Sequence, residues 1–100
     1  MNNGKKNILV VDDDTDTAGL IKQGLEYLYP TEYHVICVNY GKKCFELLEK
    51  EHTILDVILM DISIPDMNGL EALDYLKRNP KWRDIPIFII TAMKDSEFKK

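Results

Sequence analysis

The sequence predicts an α/β domain of three layers, an open parallel sheet with helices on both faces, and three observations carry that prediction. Stretches 8–11, 35–38, 56–61 and 85–91 are short runs dominated by aliphatic residues, the pattern of strands buried on both faces rather than one. Segments of helical periodicity lie between them, so strand and helix alternate and require right-handed crossovers between parallel strands. The 100 residues, 45% hydrophobic, suit a single compact domain and leave no room for a second, since a typical domain holds about 100–150 residues.

The first strand, Ile8-Leu9-Val10-Val11, ends at once in Asp12-Asp13-Asp14. From Thr15 onward Ala18, Ile21, Leu25 and Leu28 recur at helical spacing with Lys22, Gln23 and Glu26 on the other side, and Pro30 closes the helix. Val35-Ile36-Cys37-Val38 is rich in β-branched residues and reads as the second strand. The next helix covers 41–51 with Cys44, Leu47 and Leu48 inward.

The chain is organised around 56–70. Its apolar run, Val57 to Met60, brings Asp61 to the C-terminal end of a buried strand, and Pro65 with Asn68-Gly69 marks a tight loop beyond it. A third helix over 69–78 places Leu70, Leu73 and Leu76 on one face and stops at Asn79-Pro80. The fourth strand, 85–91, closes with Thr91. There is no internal repeat, low-complexity segment or linker, and the connection over 29–33 reads as surface.

Charge and composition exclude several classes of function. A net charge of -4 with no basic run argues against direct contact with nucleic acid, because phosphate binding draws on clustered Lys and Arg. The apolar run after Lys5 and Lys6 is too short for a signal peptide or a membrane span, so a cytoplasmic protein is expected. Cys37 and Cys44 lack metal-ligand spacing and are expected to be reduced, buried thiols; nothing lowers either pKa enough for a redox pair. Trp82 and the tyrosines read as scattered surface aromatics, which need no functional explanation.

What remains is an acidic constellation. Asp12 and Asp13 follow the first strand, Asp61 ends the third and Thr91 ends the fourth, and in a parallel sheet these tips converge at the edge where ligands collect. Carboxylates that close repel one another unless one stays protonated or a cation neutralises them. Mg²⁺ suits a shallow acidic pocket, because it takes one or two carboxylates and keeps several waters. Asp61 is then a ligand, a nucleophile toward phosphorus, or both, and Thr91 a hydroxyl donor to the phosphate. Asp14, Asp16 and Asp66 read instead as helix caps and solvated loop residues.

The run Ile8 to Asp13, the stretch from Asp56 to Asp61 followed by Ile64-Pro65-Asp66-Met67-Asn68-Gly69, and Ile89-Ile90-Thr91-Ala92 together resemble the receiver domain of two-component response regulators. The resemblance covers essentially the whole chain. It implies a flavodoxin-like sheet of strand order 2-1-3-4 continued by a fifth strand, and a regulatory phosphoacceptor rather than an enzyme. It further implies that Asp61 accepts a phosphoryl group from a sensor histidine kinase or phosphotransfer protein. Asp12, Asp13, Asp61 and the backbone carbonyl of Ser63 would be the Mg²⁺ ligands, with Asp13 binding directly. Thr91 matches the switch hydroxyl, Ala92 leaves room for the phosphodonor, and Pro65 and Gly69 match the residues that shape the loop.

The sequence departs from the family at its end. The family's fifth strand with a phosphate-pairing Lys, its aromatic switch residue and its fifth helix have no counterpart, and Lys94, Lys99 and Lys100 are not given that role. The fourth strand is therefore expected to be an unpaired edge, with apolar surface uncovered over the first and third strands. The 100 residues are expected to belong to a longer chain or to form a dimer through that edge. The main rival reading is a receiver-like interaction module that works without phosphorylation. A haloacid-dehalogenase-type nucleophile motif fails because Asp16 stands where Thr or Val is wanted, and a calcium loop fails at Thr17 and Gln23.

Overall fold

The structure, a computed structural model, describes residues 4–50 and 54–90. Its elements run β1 (Lys6–Val11), α1 (Thr15–Leu28), β2 (Tyr33–Val38), α2 (Gly41–Glu49), β3 (Val57–Asp61), β4 (Ser63–Ile64), β5 (Met67–Asn68), α3 (Gly69–Arg78) and β6 (Ile87–Ile90). Four of the strands form one sheet in the order β2-β1-β3-β6, every pair parallel, which is the expected 2-1-3-4 order of the principal strands. The small antiparallel hairpin β4–β5, which turns at Pro65-Asp66, was not expected. Two-residue strands carry too little sequence for a periodicity to register.

The central position of β1 explains its unbroken apolar run. Leu9 and Val11 join the core beneath α2 and α3, with Ile58, Met60, Leu48 and Leu76, while Ile8 and Val10 join Ala18 and Val35 beneath α1. A strand buried on both faces has no polar side to show in its sequence. Asn7 is the buried polar residue at its start: its amide Nδ2 donates to the carbonyl of Ile54, and its backbone N–H donates to Asp56 Oδ2, both at 2.7 Å.

Edge strand β2 is secured by α1. Val35 directs its backbone groups away from β1; its N–H donates to Glu26 Oε2 and its carbonyl accepts from Lys22 Nζ, each at 2.8 Å. Lys22 and Glu26 also pair with each other at 3.2 Å. The N–H of Tyr33, two residues earlier on the same edge, donates to the carbonyl of Tyr29.

Several expectations about burial are corrected. Leu28, the last residue of α1, and Leu70, which lies off the buried stripe of α3, are both exposed; that stripe is Gly69, Ala72 and Leu76, and the stripe of α1 centres on Ala18. Cys37, two residues past the buried Val35 on the sheet's outer strand, is exposed, whereas Cys44 is enclosed by the main core, where burial pushes its thiol up to about 12. Trp82 is core, not surface, packed with Leu48, Leu55 and Leu76. The first strand is also covered on its α1 face, so among the described residues the apolar surface of the sheet that is left uncovered on that side lies over β3 and β6. Leu59 there is half-buried beside Phe88, its register partner, which is 58% exposed. No helix among the described residues is long and apolar enough to cross a membrane.

Candidate phosphoacceptor and metal site

Val11 and Met60 are register partners in adjacent parallel strands, so the residues that follow them, Asp12 and Asp61, emerge side by side. Asp13 follows in the turn to α1, and one carboxylate oxygen from each of Asp12, Asp13 and Asp61 lies within 4.8 Å of the others. Their exposures are graded: Asp12 is buried, Asp61 half-buried and Asp13 exposed.

The backbone fixes this arrangement. Asp12 N–H donates to the carbonyl of Val38 at 3.0 Å, and the Asp12 side chain accepts from Asp14 N–H at 2.9 Å. Asp14 is the N-cap of α1, accepting from the N–H groups of Asp16 and Thr17 and from the Thr17 hydroxyl, which holds its carboxyl below the usual carboxylate range. The role expected for Asp14 is thus the one it has.

Beyond Asp61 the chain is pinned on both sides. Ile62 N–H donates to the carbonyl of Ile90 at 3.0 Å, and Gly69 N–H donates to the carbonyl of Ile62 at 2.9 Å. Gly69 lies so close that a Cβ added to it would fall 2.7 Å from the Asp61 carbonyl oxygen and 2.8 Å from Ile62 Cα. A glycine is required here by close backbone approach. Asp61 Oδ1 also accepts from the N–H of Ser63 at 3.3 Å, a local turn that brings the start of β4 beside the carboxylate.

Electrostatically the cluster resists its own charge. Burial raises the pKa of Asp12; the hydrogen bond from Asp14 works against this, and the charges of Asp61, Asp13 and Asp14 reinforce it. Three hard oxygen donors, one of them exposed, match a cation that keeps part of its water shell, and no nitrogen or sulfur ligand belongs to the cluster. The residues present therefore fit Mg²⁺. Thr91 and Ala92, expected to complete the site, lie outside the described residues, as do Lys94, Lys99 and Lys100.

Comparison with known proteins decides the family. The model of the response regulator receiver domain matches residues 8–100. The chain belongs to that family. Among curated relatives of this receiver domain, the polar-differentiation response regulator DivK of Brucella ovis is 32% identical over 94 residues, covering 92% of this chain and 72% of DivK. The transcriptional regulatory protein CrdR of Helicobacter pylori is 33% identical, and a probable cyclic di-GMP phosphodiesterase of Vibrio cholerae 32%. The receiver domain spans only 40% and 19% of those two longer proteins. Among solved structures, the N-terminal domain of a response regulator receiver protein from Methanoculleus marisnigri superposes with TM-score 0.75 at 34% identity, over 91% of this chain and 72% of that one. The phosphorylated cyanobacterial phytochrome response regulator RcpA superposes with TM-score 0.80 at 23% identity, over 93% and 69%, which shows the shared fold.

One residue whose partner the sequence did not reveal is Asp66. It was expected to cap a helix or to be solvated in its loop, and it does cap a helix, but α2 rather than the adjacent α3, which is capped by Asn68. Its partners are 24 and 25 residues away, so no local spacing could have named them.

Proposed function

We propose that this receiver domain is a phosphoacceptor in His-to-Asp phosphorelay signalling, with Asp61 as the accepting residue. The observation that carries the proposal is the convergence of Asp12, Asp13 and Asp61 within 4.8 Å at the tips of neighbouring strands. An Asp61 carboxylate oxygen attacks the phosphorus of a phosphohistidine on a sensor kinase or phosphotransfer protein. The phosphorus–nitrogen bond breaks as the acyl phosphate forms, and the departing imidazole nitrogen takes up a proton from water. Asp12, Asp13, Asp61 and the Ser63 carbonyl would hold Mg²⁺, which offsets charge on the phosphoryl oxygens when bound.

The chain's own residues contribute position. Gly69 and the bonds at Ile62 hold the Asp61 backbone, and Asp61 itself is only half-buried. The added phosphate carries a charge of roughly -1.5 to -2, and the Thr91 hydroxyl is the group proposed to turn toward it and bias the segment that follows. Incubation with acetyl phosphate or phosphoramidate and Mg²⁺ tests the reading by mass. One phosphoryl group should add to the wild type and none to Asp61→Asn. A wild type that gains no mass would favour an interaction module that works without phosphorylation.

A further inference from the structure

Asp66 stands outside the acidic cluster and links two parts of the fold that share no strand pairing. It lies at the tip of the β4–β5 hairpin, five residues beyond Asp61. Its Oδ1 accepts from Gly41 N–H at 2.8 Å and its Oδ2 from Lys42 N–H at 2.9 Å. Those are the first residues of α2, whose own N-cap residue, Tyr40, makes no side-chain capping hydrogen bond. The other described helices, α1 and α3, are each capped by the residue just before them.

A second contact reinforces the link. The Met67 side chain lies over Gly41, where an added Cβ would fall 2.5 Å from its sulfur. The hairpin between these contacts and Asp61 is short and paired, Ser63 with Asn68 and Ile64 with Met67, and Ile64 is anchored in the core. Its tip therefore moves with its base. The two backbone donors also keep the Asp66 carboxyl below the usual carboxylate range, so the cap is charged at neutral pH.

We propose that Asp66 is a positioning residue that couples the Asp61 site to the N-terminus of α2. By holding the hairpin against the helix, it sets where the Ser63 carbonyl lies, and it carries any shift of residues 61–63 on metal binding to Gly41 and Lys42. The inference rests on the reading of Asp61 and Ser63 as part of a Mg²⁺ site. It adds a route toward α2 that does not pass through Thr91.

The test uses the full 100-residue chain and Mg²⁺ alone, followed by calorimetry and by backbone amide NMR. In the wild type, Mg²⁺ should shift the amide resonances of Gly41 and Lys42 together with those of residues 61–64. Asp66→Ala should abolish the response at Gly41 and Lys42 and weaken Mg²⁺ binding about fivefold. Asp66→Asn, which keeps one acceptor oxygen, should recover most of both. A purely structural cap would lower the melting temperature of the alanine variant yet leave Mg²⁺ affinity unchanged, and that result would overturn the proposal. So would wild-type amides at Gly41 and Lys42 that stay silent while residues 61–64 respond, an outcome that needs no variant to fold. A wild type that binds no Mg²⁺ would instead refute the reading of the metal site, and this inference with it.

Discussion

Asp12 and Asp61 face each other from the tips of adjacent parallel strands, and the charge on Asp61 helps to raise the pKa of the more buried Asp12. A raised carboxyl means that the folded state holds its proton more tightly than the unfolded state does. The resulting penalty is absent at pH below the ordinary carboxylate range and grows as pH rises through the raised value. Asp12→Asn should therefore melt higher than wild type at pH 7 without metal. The gain should vanish near pH 3. Saturating Mg²⁺ should reverse the order, because bound metal stabilises the wild type by mass action. Melting curves across pH, with and without Mg²⁺, check all three statements.

Asp13 is the exposed member of the cluster and lies within reach of the other two carboxylates. Asp13→Asn removes a charge that a bound cation would neutralise, so Mg²⁺ affinity should fall by at least about tenfold while the melting temperature without metal stays close to that of wild type. Calorimetry is the suitable readout. Trp82 would be a poor reporter, since it packs with Leu55 and Ile85, residues that precede β3 and β6 and so lie at the opposite end of the sheet from Asp61.

Gly69→Ala should be costly out of proportion to one methyl group. The added carbon would meet the backbone of Asp61 and Ile62, which cannot swing aside as a flexible side chain would. A loss of about 1–3 kcal/mol is expected in denaturant titration, together with slower phosphoryl uptake at Asp61. Unchanged stability would mean that α3 can retreat from the site freely.

Glu26 offers a prediction away from the site. Its carboxyl is held below the usual range chiefly by the Val35 N–H, with Lys22 assisting, so its contribution is present at pH above the ordinary carboxylate range and is lost as pH falls through the lowered value. Glu26→Ala should destabilise by about 1 kcal/mol at pH 7, since it leaves the Val35 N–H without its acceptor, and the difference from wild type should shrink in acid. Chemical denaturation at pH 7 and pH 3 gives the comparison.

The sequence was legible where one local pattern meant one physical thing. Ile8 to Val11 reads as a strand covered on both faces because β1 is the centre of the sheet, and Asp12, Asp13 and Asp61 could be brought together because parallel strands deliver their tips to one edge. Periodicity misled at the ends of helices. Leu28 and Leu70 keep the apolar spacing but stay exposed, Leu28 as the last residue of α1 and Leu70 off the buried stripe of α3. Composition misled at Trp82 and Cys37, because residue type alone does not say which chain segments will pack over a side chain. The cap at Asp66 was invisible for a further reason: its partners lie 24 and 25 residues away, and nothing within a few residues announces them.

The grip of Lys22 and Glu26 on Val35 has a consequence for how the domain meets other proteins. An unprotected outer strand is a template on which a foreign strand can extend the sheet, and it is the usual starting point for edge-to-edge aggregation. At Val35 both outward backbone groups already have side-chain partners from the same chain, so an incoming strand would have to displace an ion pair before it gained its first hydrogen bond there. The β2 margin is thereby blocked to main-chain pairing at Val35, the middle of the strand. Contact made at Val35 must be with side chains, whose identity can differ from one receiver domain to the next even where the backbone is the same.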